Sequence, residues 1–116
     1  MHGPFHIIGN IEVKKNGTTF LDQKRIDLLR CIRHTGSIRS ASMTMNMSYQ
    51  QAWSSIKIMN ALSPLPIVIK RRGGAKGGGA EVTNYGVTLI RNFLKTKQQH
   101  TEYLQGLDDI WKDCLL

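Results

Sequence analysis

Thr35-Gly36-Ser37-Ile38-Arg39-Ser40-Ala41-Ser42-Met43-Thr44-Met45-Asn46-Met47-Ser48-Tyr49-Gln50-Gln51-Ala52-Trp53 is the stretch whose reading decides the fold. Gly36 can take the left-handed backbone that closes a helix. Ser37 can then cap a second, short helix. Ile38, Ala41 and Met45 form its inner face at helical spacing, and the small Ala41 lets another helix cross closely. Met45-Asn46-Met47-Ser48 reads as a tight turn, because Asn46 tolerates a positive φ at lower cost than most residues. Ser48 caps a third helix that runs to about Leu62, where Pro64 and Pro66 stop it. Ala52, Ile56, Met59 and Leu62 or Ser63 give its buried face. Tyr49, Gln50, Gln51, Ser54 and Lys57 are expected to stay largely exposed.

Upstream, Asp22 is an expected N-cap for a first helix carrying Ile26, Leu28, Leu29 and Ile32. Ile11-Glu12-Val13-Lys14 alternates as a half-buried strand should. Asn16-Gly17 supplies a hairpin turn, and Thr18-Thr19-Phe20 the return strand. Downstream, Ile67 to Arg71 is β-branched and strand-like, and Ala80 to Thr83 reads as its return. Gly73-Gly74-Ala75-Lys76-Gly77-Gly78-Gly79 between them suits neither a helix nor a strand interior. Thr83 or Asn84 caps a long last helix, in which Ile90, Phe93, Leu94, Leu104, Leu107 and Trp111 keep a roughly heptad line. The sequence therefore predicts a mainly α fold with small β: a winged helix-turn-helix with an N-terminal β-hairpin and a long C-terminal dimerisation helix. Its organisation is an arm at 1–21, a DNA-binding domain at 22–83 and the dimerisation helix at 84–116.

Composition points the same way. The chain has 116 residues, 41% of them hydrophobic, enough for one core-bearing domain. Net charge is +8, unevenly spread: residues 1–100 hold 15 Lys/Arg against 4 Asp/Glu, whereas 101–116 hold one Lys against four acids. From Leu28 through Ala80 there is no acid, but there are Arg30, Arg33, Arg39, Lys57, Lys70, Arg71, Arg72 and Lys76. A surface cleared of carboxylates suits a phosphate-bearing partner. In a helix-turn-helix the helix after the turn enters the major groove. Its first turn here carries Ser48, Tyr49, Gln50 and Gln51, and a glutamine amide can donate and accept at once, matching adenine N6 and N7. Ser54 and Lys57 follow along the helix and can reach bases or phosphates. Arg71, Arg72 and Lys76 belong to the hairpin, where glycines let the backbone come close to phosphates.

Other classes are poorly supported. No paired carboxylates or Ser-His-Asp spacing mark a catalytic site, so no enzyme and no catalytic residue is expected. The glycine-rich segment lacks the Gly-x-x-x-x-Gly-Lys-Ser/Thr order of a nucleotide loop. Cys31 and Cys114 cannot complete a zinc site and read as reduced structural thiols. His2 and His6 are separated by Pro4, which argues against a helical metal pair. No cofactor and no metal are expected. No membrane span or secretory leader is evident, so the expected location is cytoplasmic. Trp53, Met43, Met45, Met47 and Met59 read as packing residues. Two rival functions remain open from the residues alone: a protein-interaction adaptor reusing the same fold, and a non-specific nucleic-acid-binding protein.

The sequence also resembles the N-terminal domain of ModE, the molybdate-responsive transcription regulators. The likeness rests on Leu28-Leu29-Arg30-Cys31-Ile32, Thr35-Gly36-Ser37-Ile38, Ala41, Met47-Ser48-Tyr49 with Ala52-Trp53, and Met59-Asn60. It continues through Gly73-Gly74-Ala75-Lys76-Gly77-Gly78-Gly79-Ala80, Val82-Thr83 and Tyr85-Gly86, over about residues 10–105. It implies a winged helix domain that binds double-stranded DNA as a homodimer through its terminal elements. Ser48, Tyr49, Gln50, Gln51 and Ser54 then fall on the recognition helix, and Arg71, Arg72 and Lys76 on the wing. Family members often carry a basic residue just after the Ser-Tyr pair, where Gln50 and Gln51 stand here, so the operator sequence does not carry over. Full-length members continue into an oxyanion-binding domain. This chain stops at Leu116 without one, so molybdate is expected not to bind it directly.

Overall fold

The computed structural model describes residues 4–72 and 79–112. Two strands open the chain, β1 (Glu12–Lys15) and β2 (Thr18–Asp22). Asn16 and Gly17 join them with φ of 51° and 81°, the pair of positive values that a two-residue turn needs to match strand twist. A bulge between Val13 and Lys14 shifts the register, and Leu21 turns into the core.

Three helices follow, each opened by a local side-chain cap. Asp22 accepts the amide of Arg25 at 2.8 Å to start α1 (Gln23–Thr35). Gly36 closes it at φ 71°. Ser37 accepts the amide of Ser40 at 3.1 Å to start α2 (Ile38–Thr44). Asn46 stands at φ 54° in the turn, and α3 runs from Tyr49 to Leu62. Ile26, Leu28, Leu29 and Ile32 of α1 pack with Ile38 and Ala41 of α2 and with Ala52, Ile56 and Met59 of α3. Ser42 is also buried. Its hydroxyl donates to the carbonyl of Arg39 at 2.7 Å, so no polar group is lost at the crossing.

A second hairpin, β3 (Val68–Arg71) and β4 (Gly79–Val82), pairs Val68 with Val82, Ile69 with Glu81, Lys70 with Ala80 and Arg71 with Gly79. Both strands are moored to helices. The Asn60 side chain accepts from the amides of Ile67 (2.8 Å) and Val68 (3.3 Å) and donates to the carbonyl of Val68 (3.0 Å). The amide of Ala80 donates to the carbonyl of Gly36 at 2.9 Å. A Cβ at Gly79 would lie 2.9 Å from that same carbonyl, so the close approach requires glycine.

Thr83 caps α4 (Asn84–Gln105) through the amide of Gly86. The buried residues of α4, Gly86, Ile90 and Phe93, lie in its first half. The second half extends from the core and carries the N-terminal segment, with Gly9 against His100 and Leu104. The radius of gyration is 17.9 Å, against about 13 Å for a compact domain of this length. The expected apolar line through Leu107 and Trp111 is not one helix to the end of the chain. The helix stops at Gly106, and Trp111 belongs to a short 3-10 turn at Asp108–Trp111. Asp108 is buried there and holds the start of the chain, accepting the Ile7 amide at 3.0 Å with His6 Nδ1 at 3.3 Å. Phe5, Ile8, Tyr103, Ile110 and Trp111 leave apolar surface exposed around this junction. No helix among the described residues is long and apolar enough to cross a membrane.

Candidate nucleic-acid interface

The start of α3 is built by a reciprocal cap. Ser48 Oγ accepts the amide of Gln51 at 3.0 Å, while Gln51 Oε1 accepts the amide of Ser48 at 3.0 Å. Two amides that helix geometry leaves without partners are thereby satisfied. Gln50, Ser54 and Lys57 follow at spacings of four and three on one exposed face. Tyr49 and Trp53, also four apart, occupy the neighbouring face and lie half-buried against the core.

That aromatic face looks onto the second hairpin. Lys70 donates to the Tyr49 hydroxyl at 3.3 Å, and its ammonium stands 4.1 Å from the centre of the Trp53 ring. Lys57 lies 5.8 Å from the same ring, one helical turn along. Over Tyr49 itself, the Arg39 guanidinium sits 4.9 Å from the ring centre. An open cleft of about 380 Å³ is bounded by Arg39 and Ser37 of α2, Tyr49 of α3, and Lys70, Arg71 and Gly79 of the hairpin. Three cations thus line it, and Arg71 among them is ion-paired, with Glu81.

No protein-family model matches the chain. Curated relatives do. The transcriptional regulator ModE of Haemophilus influenzae is 32% identical over 108 residues, covering 91% of this chain and 42% of that protein. ModE of Yersinia pestis is 42% identical over 108 residues, covering 91% and 41%. The DNA-binding transcriptional dual regulator ModE of Escherichia coli is 40% identical over 99 residues, covering 85% and 38%. By sequence, this chain is ModE-like.

The ModE-like chain spans about two fifths of the length of these relatives. Among solved structures, ArgP from Mycobacterium tuberculosis resembles it with a TM-score of 0.53 over 74% of this chain and 30% of that one. At 17% identity this is a likeness of fold alone.

The residues expected at the site of this ModE-like chain fall into four groups. Gln50, Gln51, Ser54 and Lys57 are placed on α3, with Ser48 at its cap. Arg71 and Arg72 are exposed at the end of β3, beside the cleft that Tyr49 also lines. Lys76 lies outside the described residues, as does Cys114. Tyr49 departs from the expectation of a largely exposed side chain, because it packs against the core with Arg39 and Lys70 beside it. Met43 departs in the other direction: it reads as a packing residue and is 71% exposed, since α2 turns only its Ile38–Ala41–Ser42 side inward.

Sequence reasoning misses Arg39 and Lys70 as site residues. A signal for Lys70 is present in the strand alternation, which puts it on the same face as buried Val68, toward the helices. Nothing local marks Arg39, whose partner Tyr49 lies ten residues on, across the turn. Glu81 is also missed as a partner of Arg71. Its place opposite Ile69 depends on a register that the sequence between the strands does not specify.

Proposed function

We propose that this chain is the DNA-binding part of a ModE-like transcription regulator, and that it binds a palindromic operator as a homodimer. In this reading the fold is a winged helix-turn-helix. α2 and α3 form the helix pair, α3 lies in the major groove, and β3–β4 is the wing along the adjacent backbone. The observation that carries it is the convergence of α3 and the hairpin on one cationic surface, beside the exposed, hydrogen-bonding Gln50 and Ser54 of α3.

Gln50 is the residue best suited to read a base edge, because its exposed amide offers both a donor and an acceptor. Gln51 spends its oxygen on the helix cap, which leaves its amide nitrogen as a donor to bases. Ser54 adds a short donor or acceptor further down the groove. Lys57, Arg71, Arg72 and Lys76 supply charge for phosphates. Exposed Phe5 and Ile8 of the N-terminal arm, Tyr103 near the end of α4, and Ile110 and Trp111 of the 3-10 turn favour pairing of two copies through these elements. Two recognition helices about 34 Å apart would then meet successive major grooves.

Selection of bound duplexes from a random pool tests the reading. The expected product is an inverted repeat with half-sites about one helical turn apart, bound with a log–log salt slope of about −7 if roughly eight phosphates are contacted. No enriched sequence and a flat salt dependence would sink it. Enrichment of nothing with a steep slope would instead favour non-specific binding.

A further inference from the structure

Arg39 and Lys70, like the more distant Lys57, stand over aromatic rings, and differ in this from Arg71 and Lys14. Arg71 and Lys14 face carboxylates, which cancel much of their charge. Arg39 and Lys70 face aromatic rings, at 4.9 Å from the Tyr49 centre and 4.1 Å from the Trp53 centre. The face of a ring attracts a cation through its quadrupole and carries no net charge. The two cations are thus held in place with their full charge still available to an anion. Tyr49 links them. Its ring underlies Arg39, and its hydroxyl oxygen accepts from Lys70, which leaves the hydroxyl hydrogen as a further donor. All three groups line the same open cleft.

We propose that this cleft seats one backbone phosphodiester of duplex DNA, with Arg39 and Lys70 contacting its oxygens and Tyr49 acting as the positioning residue that sets both. The proposal rests on the DNA-binding reading above and assigns to Tyr49 a role other than reading a base edge. A polymeric phosphate fits better than a free oxyanion because the cleft is open and adjoins the exposed Gln50–Ser54–Lys57 face. A phosphate at the lip of the groove, gripped beside the start of α3, fixes how deep and in what register that helix enters. Such a contact positions the protein on the duplex and carries no sequence information itself, which is left to residues such as Gln50.

The test uses the full chain and a duplex selected by it, with each phosphate in turn replaced by a neutral methylphosphonate. The wild-type protein is expected to lose about tenfold in affinity at one phosphate of each half-site. Arg39→Gln and Lys70→Gln should weaken selected and random duplexes by the same factor, and each should make the salt slope shallower by about 1. Each should show a smaller penalty from the methylphosphonate at that phosphate, because one of its two cations is gone. Tyr49→Phe keeps the ring under Arg39 but removes the hydroxyl. It should reduce the same methylphosphonate penalty while selecting the same sequence from a random pool.

A penalty that persists undiminished in Arg39→Gln and Lys70→Gln overturns the proposal, and so does an altered selected sequence in Tyr49→Phe. Inorganic phosphate titrated into the free protein, followed by tryptophan emission, is expected to give no saturable change. A saturable, Lys70-dependent change would overturn the seat in favour of a free-oxyanion site. If the wild-type protein binds no duplex in a salt-dependent way, the DNA-binding reading falls together with the seat. If it binds and no phosphate couples to these residues, only the seat falls.

Discussion

Arg71 and Glu81 sit side by side on the second hairpin, with both Arg71 Nε, at 2.5 Å, and Nη2 on Glu81 Oε2. Glu81 is thus a carboxylate placed where the surface is otherwise cationic, and it competes with any phosphate for the guanidinium. Both side chains are largely solvated, so the pair adds little to stability. Glu81→Gln is expected to tighten binding to selected and random duplexes alike, several-fold at low salt, and to steepen the salt slope. Thermal melting should hardly move. Weaker binding by the variant would mean that Glu81 aims Arg71 rather than restraining it.

Base reading and charge should separate by mutation. Gln50→Ala is expected to cost about 1–3 kcal/mol on the selected sequence and to relax preference at one base pair per half-site. Arg72→Ala should weaken all sequences by a common factor. Parallel selections with the two variants make the comparison. Uniform weakening by both would show that α3 does not read bases through Gln50.

The cap on α3 allows stability to be varied without altering the exposed face. Ser48→Ala is expected to destabilise the fold by about 1 kcal/mol, measured by urea unfolding. Ser48→Asp should restore that stability, because a carboxylate also accepts the Gln51 amide. It should nevertheless bind DNA more weakly than the wild type, since it puts a negative charge at the head of the helix. Recovery of both properties in Ser48→Asp would argue against DNA approaching this end of α3.

Asn60 serves two amides and one carbonyl where the chain enters β3. Asn60→Ala leaves these partly buried groups without that side chain and is expected to cost about 1–3 kcal/mol for each group not recovered by water. Asn60→Asp retains the acceptor and loses the donor, so it should fall between the wild type and the alanine variant in unfolding measurements. Equal stability of all three proteins would show that water replaces the side chain fully.

What the sequence discloses follows a physical division. Caps at Asp22, Ser37, Ser48 and Thr83, the left-handed residues Gly36 and Asn46, and the Asn16-Gly17 turn all depend on neighbours within four positions, and each is legible. The inward faces of α1 and α3 are legible because burial follows helical period. Long-range placement is not. Tyr49 is half-buried because it packs on a core drawn from several elements, with Arg39 from another helix and Lys70 from a strand beside it. Glu81 meets Arg71 only through the hairpin register. The helical line toward Trp111 over-extends because apolar spacing continues past Gly106, where the backbone leaves the helix.

The mooring of the second hairpin has a mechanical consequence. One strand hangs from Asn60 near the end of α3, and the other from the carbonyl of Gly36 at the end of α1. The ladder between them is therefore a cross-brace between two helices: any sliding of α1 against α3 must shear it. Such an element opens as a unit or not at all. The amides of Ile67, Ala80 and Thr83, each donated across elements, should accordingly share a single hydrogen-exchange opening energy instead of fraying one by one.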